Sequence, residues 1–284
     1  MKILVTGYTG QLGFDVVQEG LKHGLEMHGV GKEDLDITKR NDIEQYVYDL
    51  NPDAIIHCAA YTAVDNAEDD KETCWKVNVD GTMNIARAAM VVNAIFMYIS
   101  TDYVFDGTGK LPFTETDEAN PIGQYGITKF EGEKKVEELL DDYFIVRISW
   151  VFGKNGNNFI RTMLRLSETH DELNVVGDQY GSPTYTFDLA KLLVQMIQTD
   201  RYGIYHATNE GFCNWAEFAK EIFKQSKKDL KINTITTEQF PTKAERPKNS
   251  RMSKKKLIEN GFEPLPHWKH ALGHFLEELI HEVN

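Results

Sequence analysis

Three cysteines, Cys58, Cys74 and Cys213, are all that 284 residues carry. A scattered, odd-numbered set offers neither a disulfide framework nor the paired spacing of a zinc site, and a reducing, cytoplasmic setting is expected. Long apolar runs are also missing. No stretch of 18 apolar residues is present to span a bilayer, and Met1-Lys2 lead straight into ILVTG without the pattern of a secretory signal. Positive charge is in short supply. With 31 Lys+Arg against 44 Asp+Glu the formal balance is −13, which argues against nucleic acid or an anionic membrane as partner, since both need a basic face. What is present is ordinary globular material, 41% hydrophobic and 26% charged, on a chain long enough to bury a core without staples.

Short apolar runs at 2–7, 26–31, 53–60, 94–100 and 143–149 alternate with amphipathic stretches at 11–23, 39–50, 71–92 and 124–140. Apolar residues in the latter recur three and four apart, as Val77, Met83, Ile85 and Ala88 do, the mark of a helix with one buried face. Strands apolar throughout, alternating with helices, predict an α/β fold: a doubly wound, Rossmann-like parallel sheet with right-handed crossovers. Beyond residue 150 the pattern loosens through GKNGNN (153–158) and GDQYGSPTY (177–185). A helix at 186–199 and a strand at 203–207 are expected to return to the main sheet. Asn214 with Glu217 three residues on predicts a capping box opening a helix to about 225. The expected organisation is a nucleotide-binding domain over 1–150, rejoined by 186–207, and a smaller α/β substrate lobe over 151–185 and 208–284.

GYTGQLG (7–13) places Gly7, Gly10 and Gly13 at the first strand–helix junction. There, glycine permits a tight turn, lets backbone approach a pyrophosphate and lets the helix pack on the strand, with the helix N-terminus facing the phosphates. The spacing differs from the G-x-G-x-x-G of many dinucleotide-binding folds. An acid at the end of the second strand would hold a ribose hydroxyl, and a base would hold a 2′-phosphate. Here Lys32 is followed by Glu33, Asp34 and Asp36, so both NADPH and NADH stay open.

Tyr125 and Lys129 lie four apart, on one face of the expected helix. A free phenol, with a pKa near 10, is a poor acid–base group at neutral pH, and a nearby ammonium lowers that value. Ser100 and Thr101 in ISTDYVFDG (99–107) put hydroxyls at the carboxyl end of the fourth strand, where open α/β sheets bind ligands.

With CAAYTAVDNAE (58–68), VNVDGT (77–82), VRISWVFG (146–153) and ERPKNSRM (245–252), these motifs resemble the extended short-chain dehydrogenase/reductase family over nearly the whole chain. The resemblance implies NAD(P)H-dependent reduction of the C4 ketone of dTDP-4-dehydro-L-rhamnose. It implies that Gly7, Gly10, Gln11, Leu12 and Gly13 meet the cofactor phosphates, with Lys32, Asp36 and Ile37 at the adenosine end. Ala60, Tyr61, Thr62 and Ile99 would line the nicotinamide side. Thr101, Tyr125 and Lys129 would be catalytic, Thr101 bonding the ketone, Tyr125 delivering the proton and Lys129 also binding the ribose. Asp102, Tyr103 and Trp150 would touch the sugar, and Asn78 would hold the family's structural asparagine position.

A dehydratase of this family carries Asp-Glu after the threonine, where this chain has Asp102-Tyr103. A nucleotide-sugar epimerase stays open as an alternative, as does a non-catalytic partner like the regulatory subunit of methionine adenosyltransferase. Cys58 reads as buried filler. No catalytic metal is expected; Mg2+ stays open with Asp15 as one acidic ligand, and the chain is expected to be a monomer or homodimer. Residues 243–256 hold seven Lys/Arg beside Glu245, leaving 24 Lys/Arg against 43 Asp/Glu, or −19, elsewhere. Lys254, Lys255 and Lys256 read as a solvated face. Arg246 and Arg251 are the better candidates for the substrate diphosphate, with Tyr185 and Arg161 also open to that role.

Overall fold

The computed structural model describes residues 1–283, and the side chains of residues 1–280. Asn284, the last residue of the expected second lobe, lies outside the described residues. The apolar runs form β1 (Lys2–Thr6), β2 (Glu26–Val30), β3 (Ala54–His57), β4 (Ile95–Thr101) and β5 (Tyr143–Ile148). With Gly203–His206 at the edge, the sheet order is Gly203–His206, β5, β4, β3, β1, β2, and every pairing is parallel.

Alternation along the strands divides the core into two layers. Ile3 and Val5 of β1 pack with Val16 and Val17 of helix α1 (Gln11–Lys22) and with Leu189 and Leu193 of the helix Thr186–Met196. Leu4 points the other way, onto Ile43 and Val47 of α2 (Arg40–Leu50). Because β2 lies on one side of β1 and β3 on the other, the chain reverses direction at β1. That leaves a crevice at the carboxyl ends of β1 and β3, where such folds bind ligands.

The single helix expected over 71–92 is instead three segments. They are α4 (Lys71–Trp75), a π-helical turn Lys76–Gly81 and α5 (Thr82–Val92), preceded by a short helix α3 (Val64–Asp69). The wide turn carries Asn78 inward. Its amide oxygen accepts from Tyr61 N at 2.8 Å, and its Nδ2 donates to Tyr61 O at 3.1 Å and to Thr128 Oγ1 at 3.0 Å. An apolar period alone does not distinguish such a turn from α-helix, because the same face stays buried. The next helix, α6 (Gln124–Leu139), matches its expectation closely.

The second lobe is built around Phe152, Tyr185, Phe218 and Phe275. Its helix Trp215–Gln225 opens on the complete Asn214/Glu217 capping box. Two expectations fail here. Tyr185 is fully buried, its hydroxyl donating to Glu278, so it belongs to this lobe's core and cannot meet a diphosphate. Lys254 is buried too, at 6% exposure. Its ammonium stands 3.7 Å from Glu210 and over the Phe212 ring, because a lysine stem can be covered while its charge finds a partner. Among the described residues no helix is long and apolar enough to cross a membrane.

Candidate active site

A cleft of about 860 Å³ opens at the carboxyl ends of β1, β3, β4 and β5. Every residue expected to bind cofactor or to act in catalysis lines it, as do Asp102, Tyr103 and Trp150. Arg246 stands just behind the wall. Arg161 and Arg251 are engaged elsewhere: Arg161 Nη2 donates to Lys154 O at 2.7 Å, and Arg251 Nε donates to Asn249 Oδ1 at 2.7 Å.

The glycine turn is a cradle that side chains would fill. Gly7 has φ +72°, and a Cβ there would lie 2.7 Å from Ala59 N, across the crevice. At Gly13 a Cβ would run into the Gly7 carbonyl. Gly10 caps α1 with no side chain over its first N–H groups, so the helix start faces the cleft as an anion site. A second-lobe loop lies against this turn: Asn155 Nδ2 donates to Thr9 O at 3.0 Å, and Asn158 Nδ2 to Gln11 Oε1 at 3.1 Å.

At the end of β2 Asp34 and Asp36 are already occupied. Asp36 Oδ1 accepts from Thr38 N at 3.0 Å and Thr38 Oγ1 at 2.8 Å, bonds that hold its carboxyl below the usual range. Asp34 Oδ2 accepts from Gly31 N at 2.8 Å. Lys32 is exposed at the cleft edge.

Helix α6 brings Tyr125 and Lys129 to the end of β4. Its first N–H, that of Gln124, donates to Glu68 Oε1 on α3 at 2.8 Å. Lys129 is buried, donates to Ile99 O at 2.7 Å and lies 4.0 Å above the Tyr98 ring. Desolvation pushes it down to about 7, with the charge of Glu133 opposing. Tyr125 faces the Thr101 hydroxyl in the cleft lining, and burial raises its phenol even though that hydroxyl favours the phenolate. The lowering expected from Lys129 is therefore not what this structure shows; desolvation outweighs it. Thr101 Oγ1 donates to Asp102 Oδ1 at 3.0 Å and accepts from Tyr103 N at 3.2 Å. Asp102 is itself buried, which pushes it up to about 6 although Thr101 Oγ1 donates to it.

Trp150, in a left-handed conformation at φ +49°, stacks on Trp215 with ring centroids 3.7 Å apart. Gly181 leaves room for the indole, since a Cβ there would lie 2.7 Å from Trp150 Cε2. Cys58 lines the cleft, but burial pushes its thiol up to about 12, leaving it neutral and a poor nucleophile. Asp15 accepts from Thr186 Oγ1 at 2.5 Å. Among the described residues no group of three His, Cys, Asp or Glu side chains is placed to hold a metal ion.

Residues 1–281 match the family described as RmlD substrate binding domain. The chain belongs to this family. A dTDP-4-dehydrorhamnose reductase of Aggregatibacter actinomycetemcomitans is 39% identical, covering 95% of this chain and 97% of that one. The crystal structure of a dTDP-4-dehydrorhamnose reductase from Clostridium acetobutylicum superposes with a TM-score of 0.97 at 43% identity, over 99% of this chain and 100% of the other. That of Bacillus anthracis, in complex with NADP, gives 0.95 at 42%, over 98% and 100%. In the language of the family, then, the fold is a Rossmann-like sheet with the site at its switch point.

Several wall and support residues were not singled out from sequence: Asp65 and Glu68 on α3, and Glu133 and Arg147 behind β4. The first pair stands at helical spacing in AVDNAE, and Glu133 continues the four-residue step from Tyr125 through Lys129. That continued step was the available signal.

Proposed function

We propose that the protein is an NAD(P)H-dependent reductase that converts dTDP-4-dehydro-L-rhamnose to dTDP-L-rhamnose, with Tyr125 as proton donor. The observation that carries this reading is the convergence of Thr101, Tyr125 and Lys129 at the end of β4, in the same cleft as an open glycine cradle. The names of the relatives support the substrate, and the NADP complex of the Bacillus anthracis protein supports the cofactor.

The residues present fit such a cofactor. Gly7, Gly10, Gln11, Leu12 and Gly13 would hold its diphosphate, Lys32, Asp36 and Ile37 its adenosine end, and Ala60, Tyr61, Thr62 and Ile99 its nicotinamide side. Bound there, NAD(P)H supplies the hydride that the ketone carbon needs. The chain's own work is at the oxygen. Thr101 hydrogen-bonds the ketone and orients it beside the Tyr125 hydroxyl. Tyr125, kept a neutral phenol by burial, gives its proton to the oxygen as negative charge develops there, and the phenolate left behind is reprotonated from solvent. The Lys129 ammonium offsets the charge on that phenolate. Asp102, Tyr103 and Trp150 form the wall against the sugar, with Arg246 behind them for the diphosphate.

The test is to incubate the purified protein with NADPH and enzymatically made dTDP-4-dehydro-L-rhamnose, following absorbance and identifying the product. Keto-sugar-dependent oxidation to a 4-hydroxy sugar is expected. Epimerised product with cofactor unconsumed, or no consumption at all with NADPH and NADH, would overturn the reading.

A further inference from the structure

Glu133 stands one turn beyond Lys129 on α6 and two beyond Tyr125, so the three share one face of the helix. Consecutive residues at the end of β4 meet that face. Ile99 O accepts from Lys129 Nζ at 2.7 Å, Ser100 Oγ donates to Glu133 Oε1 at 2.5 Å, and Thr101 lines the cleft beside Tyr125. On the neighbouring strand, Arg147 is the register partner of Ser100. It grips the same carboxylate in a fork, Nε to Oε1 at 2.9 Å and Nη2 to Oε2 at 2.6 Å. Ser100, Lys129, Glu133 and Arg147 are all buried.

Stability alone gives little reason for this arrangement. A buried ion pair recovers little more than its desolvation cost, and apolar residues of similar volume often serve as well or better. What an apolar replacement could not supply is a fixed negative charge one turn from a buried ammonium. The other titratable groups around Lys129 do not supply one. Cys58 at the end of β3 and Cys74 on α4 have thiols raised by burial, and Tyr125 is a neutral phenol. His57 on β3 is held neutral, pushed down to about 3, and Tyr98 presents its ring face. Glu133, gripped by the Arg147 guanidinium, is the one carboxyl group among these, and its charge favours the charged form of Lys129.

We infer that Glu133, clamped by the cross-strand pair Ser100–Arg147, is a positioning residue for the reaction: it sets the rotation of α6 on the end of β4 and keeps Lys129 an ammonium. The inference rests on the proposed roles of Tyr125 and Lys129.

The test is the pH profile of kcat for the NADPH- and keto-sugar-saturated enzyme. Glu133→Gln keeps the shape and removes the charge, so the limb along which activity falls with rising pH should move down by about one pH unit. Glu133→Asp, which keeps the charge, should return the limb toward the parent. Glu133→Gln strands a buried guanidinium, so Glu133→Gln/Arg147→Met, which removes both charges, gives the same readout if the single variant does not fold. A limb that stays in place, with or without a loss of thermal stability, would overturn the inference and leave a merely structural pair. Failure of the underlying reading looks different: it is Tyr125→Phe that would then retain parental turnover.

Discussion

Arg246 Nη1 donates to the hydroxyl of Tyr103 at 2.9 Å, tying a loop of the second lobe to a residue of the cleft wall. The same guanidinium donates through Nη2 to Asp65 Oδ2 on α3 at 2.5 Å, and the Tyr103 ring meets that of Tyr125 edge-on, centroids 5.5 Å apart. Since Glu68 of α3 also receives the first N–H of α6, one short helix touches both the Arg246 loop and the helix that carries Tyr125.

Arg246→Ala should therefore act mainly on substrate binding. Losing a charged hydrogen-bond donor to the diphosphate costs about 1.5–3 kcal/mol, or roughly ten- to a hundredfold in KM for the nucleotide sugar, with a smaller change in kcat. Steady-state kinetics at saturating NADPH measure this. An unchanged KM would remove Arg246 from the substrate site.

Asp102→Asn should trade activity for stability. A free aspartate titrates near 3.8, whereas burial in the folded protein holds Asp102 up to about 6. The folded state keeps the proton that the unfolded chain releases, so stability falls as pH rises through that interval and stays lower above it. Removing the carboxyl should therefore stabilise the protein at pH near 7.5 by about 1–3 kcal/mol, with little difference below pH near 4. Urea denaturation at the two pH values checks this. Equal stability of parent and variant at the higher pH would contradict it.

Lys32→Glu should separate the two nicotinamide cofactors. Asp34 and Asp36 are turned into local hydrogen bonds, and Lys32 stands exposed at that cleft edge as a cation able to meet a 2′-phosphate. kcat/KM with NADPH should fall by at least about tenfold while that with NADH changes little. An unchanged ratio of the two would place the phosphate elsewhere.

What the sequence made legible was local. β1 reads as a strand because Ile3, Leu4 and Val5 are all buried, on both faces of one sheet, and the glycine turn follows it within a few residues. Tyr125 and Lys129 were visible because helical spacing alone puts them together. Contacts closed by tertiary structure were not visible. Nothing in the period of 71–92 announces the π-turn that carries Asn78 to Tyr61, and nothing in ERPKNSRM tells that Arg246 reaches Asp65 while Arg251 turns to Asn249. Tyr185 failed for the same reason. A tyrosine beside glycines and a proline reads as loop, and only the packed second lobe shows its hydroxyl committed to Glu278.

The central claim is that Tyr125 delivers the proton, and its removal tests this most directly. For Tyr125→Phe, turnover of dTDP-4-dehydro-L-rhamnose with NADPH should fall by about a hundredfold or more, the usual worth of a positioned general acid, while NADPH binding measured by fluorescence changes little. Turnover within about threefold of the parent would contradict the account, because that factor is far below what loss of a general acid costs.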